Sequence, residues 1–197
     1  DHLYDELPNF TEVLDDVRRQ LALCEDSRDA LEITPLLLLG PPGVGKTRLA
    51  IEAARAMRAH FADDVFLVEL AALSDPQLVT QCVAQAAGLL QVQGDWANAL
   101  AHFLQERRLL LVIDNCEHMM EAVSALITRL MRDCPLVNVL ATSREPLRLA
   151  GEHLMRVPSL RMPAGSEPAG SHDAAPGDSA TPRELLRYDA IQLFVER

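Results

Sequence analysis

Lysine occurs once in these 197 residues, at position 46, inside Gly40-Pro41-Pro42-Gly43-Val44-Gly45-Lys46-Thr47. Every other long basic side chain is arginine. The segment fits G-x-x-x-x-G-K-[ST], a loop that wraps phosphate groups. Its glycines let backbone N–H groups turn inward without interference from a Cβ atom. The N-terminus of a helix that follows adds partial positive charge. A compact ammonium on a flexible stem can reach the outer phosphates as a point charge, which arginine's flat fork cannot do in so tight a cradle. Such a loop works only between a strand and a helix, and both neighbours are legible. Residues 33–39 (ITPLLLL) form a short apolar run, and residues 48–60 place Leu49, Ala50, Ala53, Ala54 and Met57 at helical spacing. The chain is expected to bind a nucleotide.

The same reading extends along the sequence. Residues 65–70, 109–113 and 137–142 are further apolar runs, and residues 153–157 are a weaker fifth. Helices are expected between them: one opening near Ser74, Pro76 and Gln77 and stopping at Gly88, one over residues 95–107, and one over residues 117–132. Continuously apolar strands alternating with helices predict a three-layer α/β P-loop NTPase fold, with a parallel sheet of about five strands and helices on both faces. Right-handed crossovers then bring the loops after the strands to one edge.

Four regions are expected. Residues 1–31 form a lead-in helix region, in which Asn9 and Glu12 make a capping box, and residues 32–161 form the nucleotide-binding core. Residues 162–181, rich in Pro, Ala, Gly and Ser, read as a flexible loop. Residues 182–197 read as a helix that opens a following region. A start at Asp1-His2 and an end at Glu196-Arg197 fit a piece of a longer protein.

Composition narrows the partners. A net charge of −11 opposes a nucleic-acid surface on this piece, since phosphate backbones call for basic patches. No apolar stretch approaches the roughly 20 residues that span a bilayer. Cys24, Cys82, Cys116 and Cys134 show no C-x-x-C pairing and no secretory signal precedes them, so reduced thiols in the cytoplasm are expected. His60, His102, His153 and His172 lack metal-ligand spacing.

Several residues carry candidate chemistry. Asp114, after the third apolar run, is placed to hold Mg²⁺ opposite the Thr47 hydroxyl. Hydrolysis needs a group that orients or deprotonates water. Asn115 can orient it but not take its proton, and Glu117 is the nearest carboxylate. Glu117 either serves as that base or only favours a helix start. His118 reads as a solvated or capping residue. Arg144, beyond the fourth run, either contacts a γ-phosphate or pairs at the surface with Glu145. Arg107 and Arg108 precede a strand at the opposite edge and read as solvated charges.

Residues 40–54 (GPPGVGKTRLAIEAA), 66–73 (FLVELAAL), 107–118 (RRLLLVIDNCEH) and 139–147 (VLATSREPL) together resemble the ATPase core of STAND-class signalling ATPases. The branch they resemble is that of large bacterial transcriptional regulators, related to NB-ARC and AAA+ proteins. The resemblance covers most of residues 33–197 apart from the low-complexity loop. It implies a P-loop domain that binds ATP or ADP with Mg²⁺ and hydrolyses slowly as a signalling switch. It also implies that Arg144 senses the γ-phosphate. Nucleotide contacts then fall on Gly40, Pro41, Pro42, Gly43, Val44, Gly45, Lys46, Thr47 and Arg48. Catalytic roles fall on Lys46, Asp114, Glu117 and Arg144, and metal contacts on Thr47 and Asp114. Partners would be the other domains of a parent chain and copies of itself. A Val-Gly-Arg-Glu-like opening segment of that family is absent, and residues 7–23 with 34–47 look instead like the approach to the phosphate loop in AAA+ ATPases. The alternatives are therefore an AAA+ ring module, a nucleotide-binding module without turnover, and a small-molecule kinase. The kinase would need an arginine-rich lid that residues 162–181 do not supply.

Overall fold

The computed structural model describes residues 15–17, 19 and 35–157. The expected lead-in helix start at Asn9, Cys24, the start of the first apolar run, His172, the loop at 162–181 and the helix at 182–197 lie outside the described residues.

Among the described residues, five strands form one sheet: β1 (Leu36–Leu39), β2 (Val65–Glu69), β3 (Leu109–Asp114), β4 (Val137–Ser143) and β5 (His153–Arg156). All pairings are parallel, in the order β2-β3-β4-β1-β5. β1, β3 and β4 are buried along their whole lengths, so apolar residues fill both faces, apart from the buried polar residues Asp114 of β3 and Asn138, Thr142 and Ser143 of β4. β2 and β5 are edges, and each keeps exposed positions.

Between residues 35 and 157 the α-helices are α1 (Lys46–Met57), α2 (Val79–Ala86), α3 (Trp96–Leu104) and α4 (Met120–Asp133). Two apolar cores sandwich the sheet. In one, Leu49, Ala50, Ala53 and Met57 of α1 meet Leu36, Leu38, Leu110, Val112 and Leu140, together with the buried Val17. In the other, α2, α3 and α4 cover Leu37, Leu109, Leu111, Ile113 and Val139. Alternation along each strand divides its side chains between these two cores. Truncating a fully buried leucine such as Leu110 to alanine would cost about 2–5 kcal/mol.

Local starts and stops follow side-chain chemistry. Asp95 accepts from the Ala97 N–H at 2.8 Å and caps α3. Ahead of α2, Asp75 accepts from the Gln77 N–H at 2.9 Å and caps a 3₁₀ turn over Pro76–Leu78, within the start expected near Ser74, Pro76 and Gln77. Gly88, with φ +94°, follows α2 as expected. The helix expected from residue 117 starts instead at Met120. Asn115 sits in the left-handed region (φ +65°), Cys116–His118 make a separate 3₁₀ turn, and Met119 is non-helical, so Glu117 lies outside the helix. No described helix is long and apolar enough to cross a membrane.

Candidate functional site

The loop between β1 and α1 lies at the strand C-terminal edge. Gly43 (φ +81°) and Gly45 (φ +80°) adopt the left-handed turns that the glycine spacing anticipates. At Gly40 a Cβ would stand 2.9 Å from Val44 Cγ2 and 3.2 Å from the Val157 carbonyl oxygen, so the chain has room only for glycine. α1 begins without a side-chain cap, which leaves its first backbone donors to a ligand or to water.

Lys46 folds back over its own loop. Its Nζ donates to the Gly40 carbonyl at 2.7 Å and to the Pro41 carbonyl at 3.0 Å. Burial draws its pKa below the ordinary lysine value. Arg144 acts in the same direction, and the Glu117 and Asp114 carboxylates oppose it.

Asp114 ends β3 and is buried. The Thr47 hydroxyl lies 2.9 and 3.0 Å from its two oxygens, spanning 67 residues of sequence. The buried Thr142 hydroxyl, from β4, donates to Asp114 Oδ1 and accepts from the Asn115 N–H at 3.0 Å. Two hydroxyl-bearing residues therefore hold one carboxylate in place, and a cation entering between Thr47 and Asp114 would find oxygen donors already converged. That donor set fits Mg²⁺, which favours hard oxygens.

Arg144 follows β4, and its Nε lies 2.7 Å from Glu117 Oε1. The alternative partner expected from sequence, Glu145, is replaced by a residue from the loop after β3. Physically, β3 and β4 are neighbours, so their trailing loops meet. His118 is also engaged: Nε2 lies 2.9 Å from the Leu70 carbonyl and 3.1 Å from that of Leu73, and Nδ1 lies 3.2 Å from Asn115 Nδ2.

One cavity of about 610 Å³ collects these groups, within the range of small-molecule sites. Pro42, Gly43, Gly45, Lys46, Thr47, Arg48, Asp114, Glu117 and Arg144, all expected from sequence, line it. Gly40 and Pro41 contribute carbonyls that hold Lys46, and Val44 is buried in the α1-side core, so these three support the loop from behind. Ile51, Glu52, Arg55 and Thr142 also line the cavity and were not anticipated. Thr142 had a signal, since it is a hydroxyl closing an apolar strand at the same edge. Arg107 stacks over the Phe103 ring at 3.9 Å, and the Arg108 N–H donates to Asp63. Neither lines the cavity.

Comparison with known proteins adds relatives to this geometry. Residues 32–149 match the protein family described as an AAA domain. A Mycobacterium tuberculosis protein named as an HTH-type transcriptional regulator is 44% identical over 124 residues, which are 62% of this chain and 14% of that protein. An uncharacterized protein of the same species is 34% identical over 185 residues, 93% of this chain and 39% of that protein. The chain thus spans well under half the length of these curated relatives. Among solved structures, the crystal structure of Cdc6p from Pyrobaculum aerophilum matches with a TM-score of 0.59 at 15% identity, over 77% of this chain and 45% of that one. The structure of Drosophila ORC bound to GC-rich DNA and Cdc6 matches with a TM-score of 0.53 at 13% identity, over 79% and 60%. At these identities the structural likeness speaks to the fold alone.

Proposed function

Because the chain belongs to the AAA domain family, we propose that it is the Mg-ATP-binding, slowly hydrolysing switch domain of a STAND-type bacterial transcriptional regulator. The observation that carries this reading is the meeting of Lys46, Thr47, Asp114 and Arg144 around one cavity at the strand C-terminal edge. The name of the 44%-identical relative supports the regulator part.

The roles follow from chemistry. Phosphates would lie on the backbone N–H groups from Gly43 to Arg48, at the start of α1, with Lys46 turning from the Gly40 and Pro41 carbonyls toward them. Thr47 and Asp114 would hold Mg²⁺, which offsets the phosphate charge when bound. Arg144 would leave Glu117 for the γ-phosphate. The freed Glu117 carboxylate takes a proton as water oxygen bonds to the γ-phosphorus and the bond to the β–γ bridging oxygen breaks, with ADP leaving on that electron pair. ATP and ADP would differ by the Arg144 contact, which would bias neighbouring domains of a longer parent chain. A cytoplasmic setting, self-association, and the division into 1–31, 32–161, 162–181 and 182–197 belong to the same reading.

A nucleotide-binding module without turnover is the second reading, favoured by Asn115 in place of an acid after Asp114. Calorimetry on wild type and Lys46→Ala tests the shared premise. Wild type should bind a non-hydrolysable ATP analogue with Mg²⁺, and Lys46→Ala should show no detectable binding while keeping its native circular dichroism. Equal affinities in the two proteins would overturn the site.

A further inference from the structure

Asn115 is fixed at both ends. Its backbone, in the left-handed region at φ +65°, donates to Thr142 Oγ1 at 3.0 Å. Its side-chain Nδ2 lies 3.2 Å from His118 Nδ1. Asparagine tolerates this backbone region better than most residues, but a residue held there beside the buried Asp114 carboxylate invites a reason. Asn115 also lines the cavity.

The imidazole decides which way the amide points. Nε2 faces two carbonyl oxygens, Leu70 at 2.9 Å and Leu73 at 3.1 Å. Carbonyls only accept, so Nε2 must carry the proton. In a neutral ring Nδ1 is then a bare acceptor, and only the NH₂ end of Asn115 can satisfy it. With Nδ2 committed to His118, Oδ1 is the end of the amide left to accept a hydrogen bond. The Leu70–Leu73 turn that anchors the ring is itself closed by the Leu73 N–H on the Leu70 carbonyl at 2.9 Å, and the Leu70 N–H reaches the Asp114 carbonyl at 3.1 Å. The exposed His118 ring is therefore braced by the backbone that also flanks Asp114.

We propose that His118 is a positioning residue whose Nε2–H tautomer turns the Asn115 amide so that Oδ1 accepts a hydrogen bond from the water that attacks the terminal phosphate. This rests on the ATPase reading above. It assigns Asn115 an acceptor role that a freely rotating amide would fill only part of the time. It also ties the loop after β2 to turnover rather than to nucleotide affinity.

The test uses the full chain. ¹⁵N spectra of the imidazole, recorded without nucleotide, should show His118 protonated at Nε2 and bare at Nδ1. His118→Ala should lower kcat for ATP by roughly two- to twelvefold, the loss of one neutral hydrogen bond. KM and calorimetric affinity for the ATP analogue should stay unchanged. In an Asn115→Ala background the same substitution should add nothing, because its effect passes through Asn115. A ring protonated at Nδ1, or multiplied losses in the double variant, would overturn the proposal. So would a wild type that binds Mg-ATP without hydrolysing it, and the binding reading would then stand. Failure of the wild type to bind nucleotide at all would remove that reading as well. Should His118→Ala fail to fold, the wild-type ring spectrum and His118→Gln decide.

Discussion

Arg144 Nε rests 2.7 Å from Glu117 Oε1, so a guanidinium and a carboxylate that both line the cavity neutralise one another across two loops. The pair is lopsided: the Arg144 side chain is 54% exposed and that of Glu117 17%. An ion pair so open to water contributes about 0.2–1 kcal/mol. A phosphate carrying more charge can displace it, and whatever favours the pair is lost from phosphate binding.

Glu117→Gln should therefore release Arg144. Affinity for an ATP analogue should rise by up to about fivefold, which is the pair's contribution expressed as a ratio. ADP affinity should barely move, and hydrolysis should fall because the carboxylate is gone. Calorimetry with both nucleotides and a steady-state phosphate assay read these three numbers. A fall in analogue affinity would show that Glu117 supports binding instead of competing with it.

Arg144→Ala should do the reverse. Loss of a charge-assisted hydrogen bond, about 1.5–3 kcal/mol, would weaken analogue binding by roughly 10- to 150-fold. ADP lacks the contacted group and should bind as before. Only such a difference can shift a conformational equilibrium. Parallel losses for the two nucleotides would reduce Arg144 to a structural residue.

Thr47→Ala and Asp114→Asn should weaken nucleotide binding more in Mg²⁺ than in EDTA, since both would act through the ion. Asp114→Asn is the informative change, because it keeps an oxygen for the Thr47 and Thr142 hydroxyls. Removing the side chain entirely would orphan a buried hydroxyl and confuse stability with binding. Equal losses in both buffers would argue against a metal role.

Alkaline pH should loosen the fold through its cysteines. Cys134 Sγ donates to the Ala101 carbonyl in the core, and burial pushes its pKa up to about 11. Burial also raises that of Cys116, reinforced by Asp114 and Glu117. The unfolded chain ionises near the ordinary thiol value of about 8.5, before the folded one does. Stability is then fully present below that pH and falls as pH climbs toward 11. Urea midpoints from pH 8 to 11 should decline, and Cys134→Ala should flatten the decline.

What could be read without coordinates was what local chemistry dictates. Largely apolar runs mark β1, β3 and β4 because both faces of those strands are covered. The glycine spacing gave the phosphate loop because each left-handed turn demands it. What escaped depends on distant partners. The tie between Glu117 and Arg144, the grip of Thr142 on Asp114, and the seat of His118 on the Leu70 and Leu73 carbonyls each join segments 27 or more residues apart. The helix expected from residue 117 begins at Met120 instead, because the left-handed Asn115 and the 3₁₀ turn after it are set by the tertiary contacts of Asn115 and His118 rather than by helical spacing.

The strand order also has a temporal side. β1 is flanked on one side by β4 and on the other by β5, so Leu36 meets Leu140 and His153, both more than a hundred positions later. A chain emerging from the ribosome at about 5–20 residues per second makes the glycine loop early. It then waits several seconds before either neighbour of the strand beneath it exists. Closing contacts across so long a stretch is slow in its own right. The nucleotide site is thus among the last features this domain can complete during its synthesis.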